Sequence, residues 1–504
     1  MTRTAVINVV GLSESLLGPD TPFINAFRQR GALGRITPAF PAVTCTAQSN
    51  YLTGRTPAEH GIVGNGWYHR ELAEVQFWKQ SNHLVAGKKI WATLREADPS
   101  FTCAKLFWWF NMYSGADWSI TPRPMYPADG RKLFDIYAWP YFIRDDIKRD
   151  LGEFPFPGFW GPAAGVDSSR FATDAVSRWI AASAKWIERK FTPTLNLVYL
   201  PHLDYNLQRL GPAIAPSPLS KEERAGERRQ GTPNSTPLTP ALSPLGRGEG
   251  EIIASDLRRI DAIVGDLLAF FEKQSVQVVL LSEYGISAVD TPIHLNRSFR
   301  ERGWLTVKEE LGCELLDAGA SRVFAVADHQ VAHVYVNDPA LESAVRSLLE
   351  SQPGVAEVWA APEKRAHGID HPRAGDLIAV ARDRAWFTYY YWLEDRRAPD
   401  FARTVDIHRK PGYDPVELFL DPKIPLVKAR IVWRLLQKRL GFRMLMDVVP
   451  LDASLVKGSH GNRPGNPAEW PVMITSRPEL LPQLAIDSTA VFEVLGNHVM
   501  GTGR

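Results

Sequence analysis

The chain has 504 residues, of which 45% are hydrophobic, so it is long enough to bury a large core and to carry an insertion in its main domain. Its formal net charge of +2 gives no support for a global electrostatic partner, and we expect no nucleic-acid binding. No run of about 20 apolar residues occurs, so a transmembrane helix is not expected either.

The amino-terminal residues and the cysteines bear on the cellular compartment. The apolar run after Arg3 is short and contains Asn8, which favours a first β-strand over a signal peptide. Cys45, Cys103 and Cys313 are widely spaced and match neither a metal-binding nor a disulfide pattern. We therefore expect a cytoplasmic protein, and the sequence leaves its oligomeric state open.

Strand-like and helix-like segments alternate along the chain. Short, strongly apolar runs of the kind found in buried strands occupy residues 5–10, 102–107, 195–200, 276–281, 332–336 and 377–381. Helical patterns occupy residues 21–30, 44–52, 88–96, 171–190, 252–273 and 425–445. This alternation predicts an α/β fold with a mostly parallel central sheet and flanking helices.

Two segments depart from this pattern within a single domain of residues 1–504. Residues 108–165 are rich in Trp, Tyr, Phe and Pro, and we interpret them as an aromatic cap insertion that lines a cleft. Ordinary aromatic packing of an irregular segment explains the same composition. Residues 213–250 are rich in Pro, Ser, Thr, Arg and Gly and have too little apolar surface to offset the cost of ordering, so we expect a disordered insertion.

The helical segment 425–445 has an unusual charge pattern. Its apolar residues at helical spacing are surrounded by basic ones, namely Lys428, Arg430, Arg434, Lys438 and Arg439. A basic amphipathic helix can lie on an anionic membrane. A surface helix with a solvated, charged outer face fits the pattern as well, and we favour that interpretation.

The segment from Pro38 to Tyr68, PAFPAVTCTAQSNYLTGRTPAEHGIVGNGWY, carries the best candidates for chemistry. Thr44 stands where a helix should begin, and Thr is a good N-cap. A helix N-terminus offers unpaired N–H groups and partial positive charge, so it holds phosphate well. A hydroxyl at this position is suited to attack phosphorus. In the alternative interpretation, Thr44 only caps the helix and His60 only fills a turn.

Three further polar residues fall at strand ends or on loops that can reach such an end. Asp204 follows strand 195–200, Glu283 follows strand 276–281, and His460 lies in the loop sequence KGSHG. Ligands of open α/β sheets bind beyond the carboxyl ends of the strands. Two acids, an imidazole and a hydroxyl suit a divalent cation of the zinc or manganese kind, which would ionise the Thr44 hydroxyl. The hydroxyl would then form a covalent phospho-enzyme.

These motifs resemble the nucleotide pyrophosphatase/phosphodiesterase branch of the alkaline phosphatase superfamily. In that family a Thr stands ten residues before the Gly of a T-G pair, followed by an H-G-I run and an Asn that touches phosphate. Thr44, Gly54, His60 and Asn65 stand at these positions here. The resemblance implies an alkaline phosphatase-like fold, hydrolysis of phosphodiester or pyrophosphate bonds in a small phosphorylated substrate, and a phospho-threonine intermediate.

The metal ligands of the family pattern are only partly present. Asp204 and the final G-x-H-G motif with His460 are retained, whereas the D-H-G motif has become Glu283-Tyr284-Gly285 and a His has become Gln208. In addition, Val10 stands where the family pattern has a carboxylate after the first strand. We therefore predict one zinc or manganese ion, held by Asp204, Glu283 and His460, rather than a pair. Other histidines could serve as substitute ligands, namely His202, His367, His371 and His408, although we favour a surface or core role for each of them. His202 is the best placed of the four, because it lies two residues from Asp204.

Two functions remain open at this point. The first is a metal-dependent hydrolase with Thr44 as nucleophile and Asn65 as phosphate contact. The second is a catalytically degenerate relative that keeps the fold and binds a phosphorylated ligand. The retained Thr44, Asn65, Asp204 and His460 favour the hydrolase, and the replaced ligands favour the binding protein.

Overall fold

The computed structural model describes residues 1–129, 131–165, 173–212, 247–481 and 483–501. Most of the predicted insertion 213–250 therefore lies outside the described residues. Its last four positions begin a long helix, five residues earlier than the sequence pattern indicates.

The strands and α-helices alternate as predicted, and most of them begin or end within a few residues of the predicted positions. The strands are β1 Thr4–Val9, β2 Ala32–Thr37, β3 Gly66–His69, β4 Glu74–Phe77, β5 Cys103–Leu106, β6 Trp118–Pro122, β7 Ile136–Trp139, β8 Leu195–Leu200, β9 Gln277–Leu281, β10 Ser287–Ala288, β11 Thr291–Ile293, β12 Val307–Glu310, β13 Cys313–Leu316, β14 Val323–Asp328, β15 Val331–Val336, β16 Val355–Trp359, β17 Leu377–Ala381, β18 Ala385–Phe387, β19 Gly458–Ser459, β20 Val472–Thr475 and β21 Ala485–Asp487. The helices are α1 Pro22–Arg30, α2 Thr44–Thr53, α3 Pro57–His60, α4 Ile90–Ala97, α5 Phe142–Leu151, α6 Ala175–Phe191, α7 His202–Leu210, α8 Arg247–Lys273, α9 Leu295–Glu301, α10 Glu342–Ser351, α11 Ala361–Ala366, α12 Val427–Arg439 and α13 Val491–Met500.

A nine-stranded sheet forms the centre of the molecule, in the order β21-β2-β20-β9-β1-β8-β5-β6-β7. Strand β1 pairs in parallel with β8 and β9, and β5 pairs in parallel with β8 and β6. Strands β20 and β7 run antiparallel to their neighbours. The prediction of a mostly parallel sheet with flanking helices is confirmed, and the carboxyl ends of β9, β1 and β8 lie side by side.

The core follows from the apolar pattern of the strands and helices. All six residues of β1 and of β8 are buried, as expected for parallel strands covered on both faces. Helix α6 packs against β8 and buries Trp179 and Trp186, which the seven-residue spacing placed on one face. None of the described helices has the length and apolar character needed to cross a membrane.

A second, antiparallel sheet has the strand order β14-β15-β17-β16 and its own hydrophobic core. Two of the predicted strands, 332–336 and 377–381, belong to this sheet and not to the parallel one. A two-residue turn joins β14 to β15 and permits only antiparallel pairing of these two, and β17 pairs antiparallel with both β15 and β16. This turn consists of His329 and Gln330 and reaches the edge of the central sheet where Thr44 lies.

Helix α2 differs from the sequence expectation at its start. Val43 is the N-cap, Thr44 is the first helical residue, and no side chain caps the helix. The prediction that Thr44 is the N-cap is therefore wrong, and its hydroxyl is free for other contacts. The helix ends as predicted at Gly54, whose φ of +66° suits glycine.

The aromatic segment 108–165 contributes to both the sheet and the cleft. Its strands β6 and β7 complete one edge of the central sheet. Trp109, Phe159 and Trp160 reach the pocket described below. The interpretation of this segment as a cap remains a prediction.

Candidate active site

A pocket opens beyond the carboxyl ends of β8 and β9 and contains several of the predicted site residues. Thr44, Asp204 and His460 all line it, although they are far apart in sequence. Aromatic side chains form most of the remaining wall, namely Trp78, Trp109, Phe159, Trp160, Tyr199, Tyr205, Tyr284 and Tyr413. Such a mixture of apolar walls and a few polar groups is typical of small-molecule sites.

The loop that carries His460 lies close to helix α7, which carries Asp204. A Cβ atom on Gly458 would lie only 2.0 Å from the carbonyl oxygen of Leu207, so a glycine is required for this approach. The Lys457 amide donates a hydrogen bond of 3.0 Å to the Gln208 carbonyl. The glycine of the family motif thus serves to bring the imidazole beside the carboxylate.

Thr44, Tyr284 and Asp204 form a chain of hydrogen bonds. The Tyr284 hydroxyl donates to Asp204 Oδ1 over 3.2 Å, and the Thr44 and Tyr284 hydroxyl oxygens are 3.3 Å apart. Because Tyr284 has one hydroxyl hydrogen and gives it to Asp204, its oxygen can only accept from Thr44, whose hydroxyl also contacts Tyr199 and Glu283. The candidate nucleophile therefore points its proton towards a buried carboxylate through one intervening hydroxyl.

The second oxygen of Asp204 is also held by the protein. The Gln208 side-chain amide donates to Asp204 Oδ2 over 2.9 Å, and the Tyr413 hydroxyl donates to Gln208 Oε1 over 2.8 Å. Tyr284 and Gln208 stand where the family pattern has imidazole ligands. The two replacements therefore act together, since both donate to the same carboxylate.

Four aromatic rings stack in a row along one side of the pocket. The ring centroids of Tyr284 and His460 are 3.6 Å apart, those of His460 and His329 are 3.7 Å apart, and those of His329 and Tyr413 are 3.6 Å apart. We call Tyr284, His460, His329 and Tyr413 the four-ring stack. Its two outer members are the tyrosines that are linked through Asp204 and Gln208, so the stack and the hydrogen-bond chain form a closed assembly.

Asn65, the predicted phosphate contact, lies beside the start of helix α2. Its side-chain oxygen accepts a hydrogen bond of 3.1 Å from the Cys45 amide, and its side-chain nitrogen donates to Asp328 over 3.0 Å. Asp328 also accepts the Asn65 backbone amide and contacts His329 Nδ1 at 2.8 Å. Asn65 therefore connects the nucleophile helix to an Asp–His pair, and its contact with phosphate remains a prediction.

Burial sets the charge of the groups around the pocket. It raises the pKa of Asp204 to about 6, although the hydrogen bonds from Gln208 and Tyr284 oppose the rise. Burial also raises the pKa of Asp328 to about 6 and lowers the pKa values of His329 and His460 well below their usual range. At neutral pH the two carboxyls are therefore mostly ionised and the two imidazoles are neutral.

Both imidazoles carry their hydrogen on Nδ1. His460 Nδ1 contacts the Ala42 carbonyl at 2.7 Å, and a carbonyl only accepts. His329 Nδ1 faces the ionised Asp328, so its Nε2 is an acceptor, and this buried atom has no hydrogen-bond partner among the described residues. His329 itself has a φ of +64°, which is uncommon for a residue with a side chain.

Glu283, the third predicted ligand, is fully buried beside the pocket, and its carboxyl also contacts the Thr44 hydroxyl. Its Oε1 accepts a hydrogen bond of 2.6 Å from Asn8 and another from Gln48. Burial raises the pKa of this carboxyl to about 8, so it is mostly protonated at neutral pH. A protonated carboxyl is a poor metal ligand.

The residues present do not fit the metal site that the family pattern implies. In the parts of the chain that the structure describes, no three His, Cys, Asp or Glu side chains are grouped so as to hold a metal ion. Two of the imidazoles that the resemblance implies are replaced by Tyr284 and Gln208, whose side chains donate to Asp204 instead of binding a metal. The ion predicted on Asp204, Glu283 and His460 remains a prediction.

The histidines considered as substitute ligands lie elsewhere. His202 contacts Asp256 at 3.2 Å between α7 and α8, and His367 stacks on Trp359. The sequence reasoning missed Asp328 and His329. The signal was the apolar run VFAVA followed by DHQ, which is a strand end with an acid and an imidazole directly after it.

The comparisons with known proteins agree with this fold. The family model described as type I phosphodiesterase/nucleotide pyrophosphatase matches residues 4–414. An inactive form of murine ectonucleotide pyrophosphatase/phosphodiesterase 5 in complex with AMP has a TM-score of 0.55 at 13% identity, covering 100% of this chain and 96% of that one. Phosphonoacetate hydrolase from Sinorhizobium meliloti in complex with phosphonoacetate has a TM-score of 0.56 at 14% identity, covering 99% and 95%. No curated protein sequence matches significantly.

Proposed function

Because the chain belongs to the type I phosphodiesterase/nucleotide pyrophosphatase family of phosphoester hydrolases, we propose that it cleaves phosphodiester or pyrophosphate bonds with Thr44 as nucleophile. The observation that carries this proposal is the contact of Thr44 with Tyr284, which in turn donates to Asp204. Family members generally depend on divalent metal ions. In this chain Tyr284 and Gln208, which stand where the family pattern has imidazole ligands, donate hydrogen bonds to Asp204.

The first step of the proposed reaction joins Thr44 to the substrate. The Thr44 oxygen attacks phosphorus, its proton moves to the Tyr284 oxygen, and the Tyr284 proton moves to Asp204. The bond from phosphorus to the leaving oxygen breaks, and the leaving group takes its proton from water. The result is a phospho-threonine and a protonated Asp204, with Tyr284 returned to its neutral form.

Water completes the cycle by attacking the phospho-threonine. One proton of the attacking water stays on the product phosphate, and the other neutralises the hydroxide left when water protonated the leaving group. The bond between phosphorus and the Thr44 oxygen breaks, and that oxygen regains a proton from Asp204 through Tyr284 in the reverse direction. Burial favours this use of Asp204, because a pKa of about 6 leaves it ionised at neutral pH and still able to accept a proton. The aromatic walls suit a substrate with a flat, apolar leaving group.

A covalent intermediate is the direct test of this proposal. We expect the purified chain to cleave a chromogenic aryl phosphodiester, and acid quenching during turnover should leave the phosphoryl-containing half of the substrate on the peptide that contains Thr44. Mass spectrometry of the digested protein measures the modification. Turnover without any label on this peptide would argue against a Thr44 intermediate.

The metal content of the purified chain is expected to be low. Since two implied imidazole ligands are replaced and no three potential ligands are grouped among the described residues, we expect well below one equivalent of zinc or manganese after dialysis. The variant Gln208→His/Tyr284→His, which supplies the imidazoles of the family pattern, is the positive control and should retain more. Elemental analysis decides, and one equivalent in the unchanged chain would support the single ion predicted from the sequence.

The catalytically degenerate alternative has one specific observation behind it. Val10, Gln208 and Tyr284 replace a carboxylate and two imidazoles of the family pattern, which removes three of the metal ligands that the resemblance implies. A protein of this kind would bind a small phosphorylated ligand in the same pocket without cleaving it. Saturable binding of a nucleotide together with no turnover of any aryl phosphoester would favour this second function.

A further inference from the structure

Helix α12 departs from the usual arrangement of a surface helix. A surface helix normally turns its apolar face inward, yet none of the residues of α12 is buried. Its Val432, Trp433 and Leu440 side chains are 66%, 57% and 65% exposed. The prediction of an ordinary surface helix with a solvated charged face therefore does not describe α12.

The exposed apolar residues form one continuous face. Ala429, Val432, Trp433, Leu436 and Leu440 follow the i, i+3, i+4, i+7 and i+11 spacing of a single helix side, and all five are exposed. On the opposite side Val427 and Ile431 are half-buried, and Arg430 and Arg434 pair with Asp447. The helix is thus held to its own return segment by ion pairs while its apolar face points to solvent.

The exposed apolar surface continues beyond the helix. Eight of the 24 exposed large apolar side chains found among the described residues fall between Leu426 and Leu445. Phe442 is one of them and is 65% exposed. A concentration of this kind marks an interaction surface, because isolated exposed apolar residues are normal and clustered ones are not.

The same stretch carries a strong positive charge. Residues 426–445 contain six basic and no acidic residues, whereas the whole chain has a net charge of only +2. Lys428, Lys438, Arg439 and Arg443 make no ion pair with any residue that the structure describes. Lys428 and Arg439 border the apolar face on one side, and Arg430 borders it on the other.

The segment is a protrusion with a closed base. The Asp421 amide donates a hydrogen bond of 2.8 Å to the Val448 carbonyl, so the chain leaves and returns at one point. Helix α12 has 13 residues and is therefore about 20 Å long, which is shorter than the roughly 30 Å hydrocarbon core of a bilayer. A helix of this length and polarity lies in a membrane interface and does not span it.

We propose that residues 422–447 dock the protein on an anionic lipid surface. The apolar face of α12, with Trp433 at its centre, enters the interfacial region, and the flanking cations contact acidic headgroups. Aromatic residues and basic residues are the usual anchors at this depth. The charge of the segment selects a lipid surface over a second copy of the chain, because two such segments would repel each other.

Vesicle sedimentation with the full chain tests this inference independently of any hydrolysis. We expect binding to phosphatidylcholine vesicles with about 30% phosphatidylserine to be roughly tenfold tighter than to pure phosphatidylcholine, and to weaken as salt rises. The variant Trp433→Asp/Leu436→Asp should bind both kinds of vesicle at least about tenfold more weakly. Lys428→Gln/Arg439→Gln, which neutralises the two cations on one border of the apolar face that pair with no described residue, should lose affinity only for the anionic vesicles.

The matched control is Leu72→Asp, which places a charge on another exposed apolar position outside the segment. It should bind vesicles like the unchanged chain. Thermal melting verifies that each variant is folded, and we expect little change because α12 buries no residue. Absent vesicle binding by the unchanged chain overturns the inference. A concentration-dependent dimer that Trp433→Asp/Leu436→Asp dissolves, without vesicle binding, would assign the face to a second copy.

Discussion

Replacement of Thr44 by Ala is expected to lower kcat/KM for an aryl phosphodiester by about 1,000-fold or more. Loss of a nucleophile removes the covalent route entirely, and losses of this size or larger follow when such a group is deleted. The effect is not expected to arise from unfolding. Thr44 is not the N-cap of its helix, and the hydrogen bond its hydroxyl makes to Tyr284 has a typical net value of about 1 kcal/mol.

The same helix offers a matched control for this variant. Thr46 is also buried, and its hydroxyl donates to the Ile62 carbonyl over 3.3 Å, away from the pocket. Thr46→Ala should lose a comparable amount of stability and keep kcat/KM within about threefold. Steady-state kinetics and chemical denaturation of both variants measure the difference. Equal turnover by Thr44→Ala and the unchanged chain would exclude Thr44 as the nucleophile.

Much of the fold was predictable because buried parallel strands have a strong sequence signal. Strands 195–200 and 377–381 were predicted at their exact bounds, since each is a short apolar run between polar residues. The pairing of 377–381 in a second, antiparallel sheet was not predictable. Apolar content indicates burial but not strand direction, and 377–381 runs antiparallel to both of its neighbours, β15 and β16.

The sequence indicated which residues come together at the pocket better than it indicated how each residue is used there. Thr44, Asp204 and His460 do line one pocket. Asp204 lies there because it follows a parallel strand, whereas His460 arrives on a loop that packs against α7. What spacing does not reveal is how a replaced residue is used. From the sequence, Tyr284 was interpreted as the loss of a metal ligand. In the structure its hydroxyl bridges Thr44 and Asp204.

Glu283 shows the opposite case. Its position after β9 suggested a metal ligand, yet its carboxyl accepts hydrogen bonds from the side-chain amides of Asn8 and Gln48. Asn8 lies within β1 and Gln48 within α2, so both partners come from distant segments whose convergence no local pattern encodes. Competition between hydrogen-bond partners for one carboxylate is a property of packing, and it is visible only once the packing is known.

The second large effect is expected from Tyr284→Phe, which removes one oxygen atom and keeps the ring. Thr44 then loses the hydroxyl that links it directly to Asp204, and we expect kcat to fall about 100-fold while KM changes little. The ring retains its stacking on His460, so the pocket wall is preserved. A purely structural role of Tyr284 would instead appear as a loss of stability, with kcat unchanged in the folded fraction.

Two further variants give this expectation its sharpest form. Tyr390→Phe is the matched control, because the Tyr390 hydroxyl is buried without a hydrogen-bond partner among the described residues and lies outside the pocket. Asp204→Asn should lower kcat as much as Tyr284→Phe, and the double variant should be no slower than either. Two groups that pass one proton in sequence act as a unit, so their effects do not add. Multiplicative losses in the double variant would mean that Tyr284 and Asp204 act separately, and the proton path from Thr44 would have to lie elsewhere.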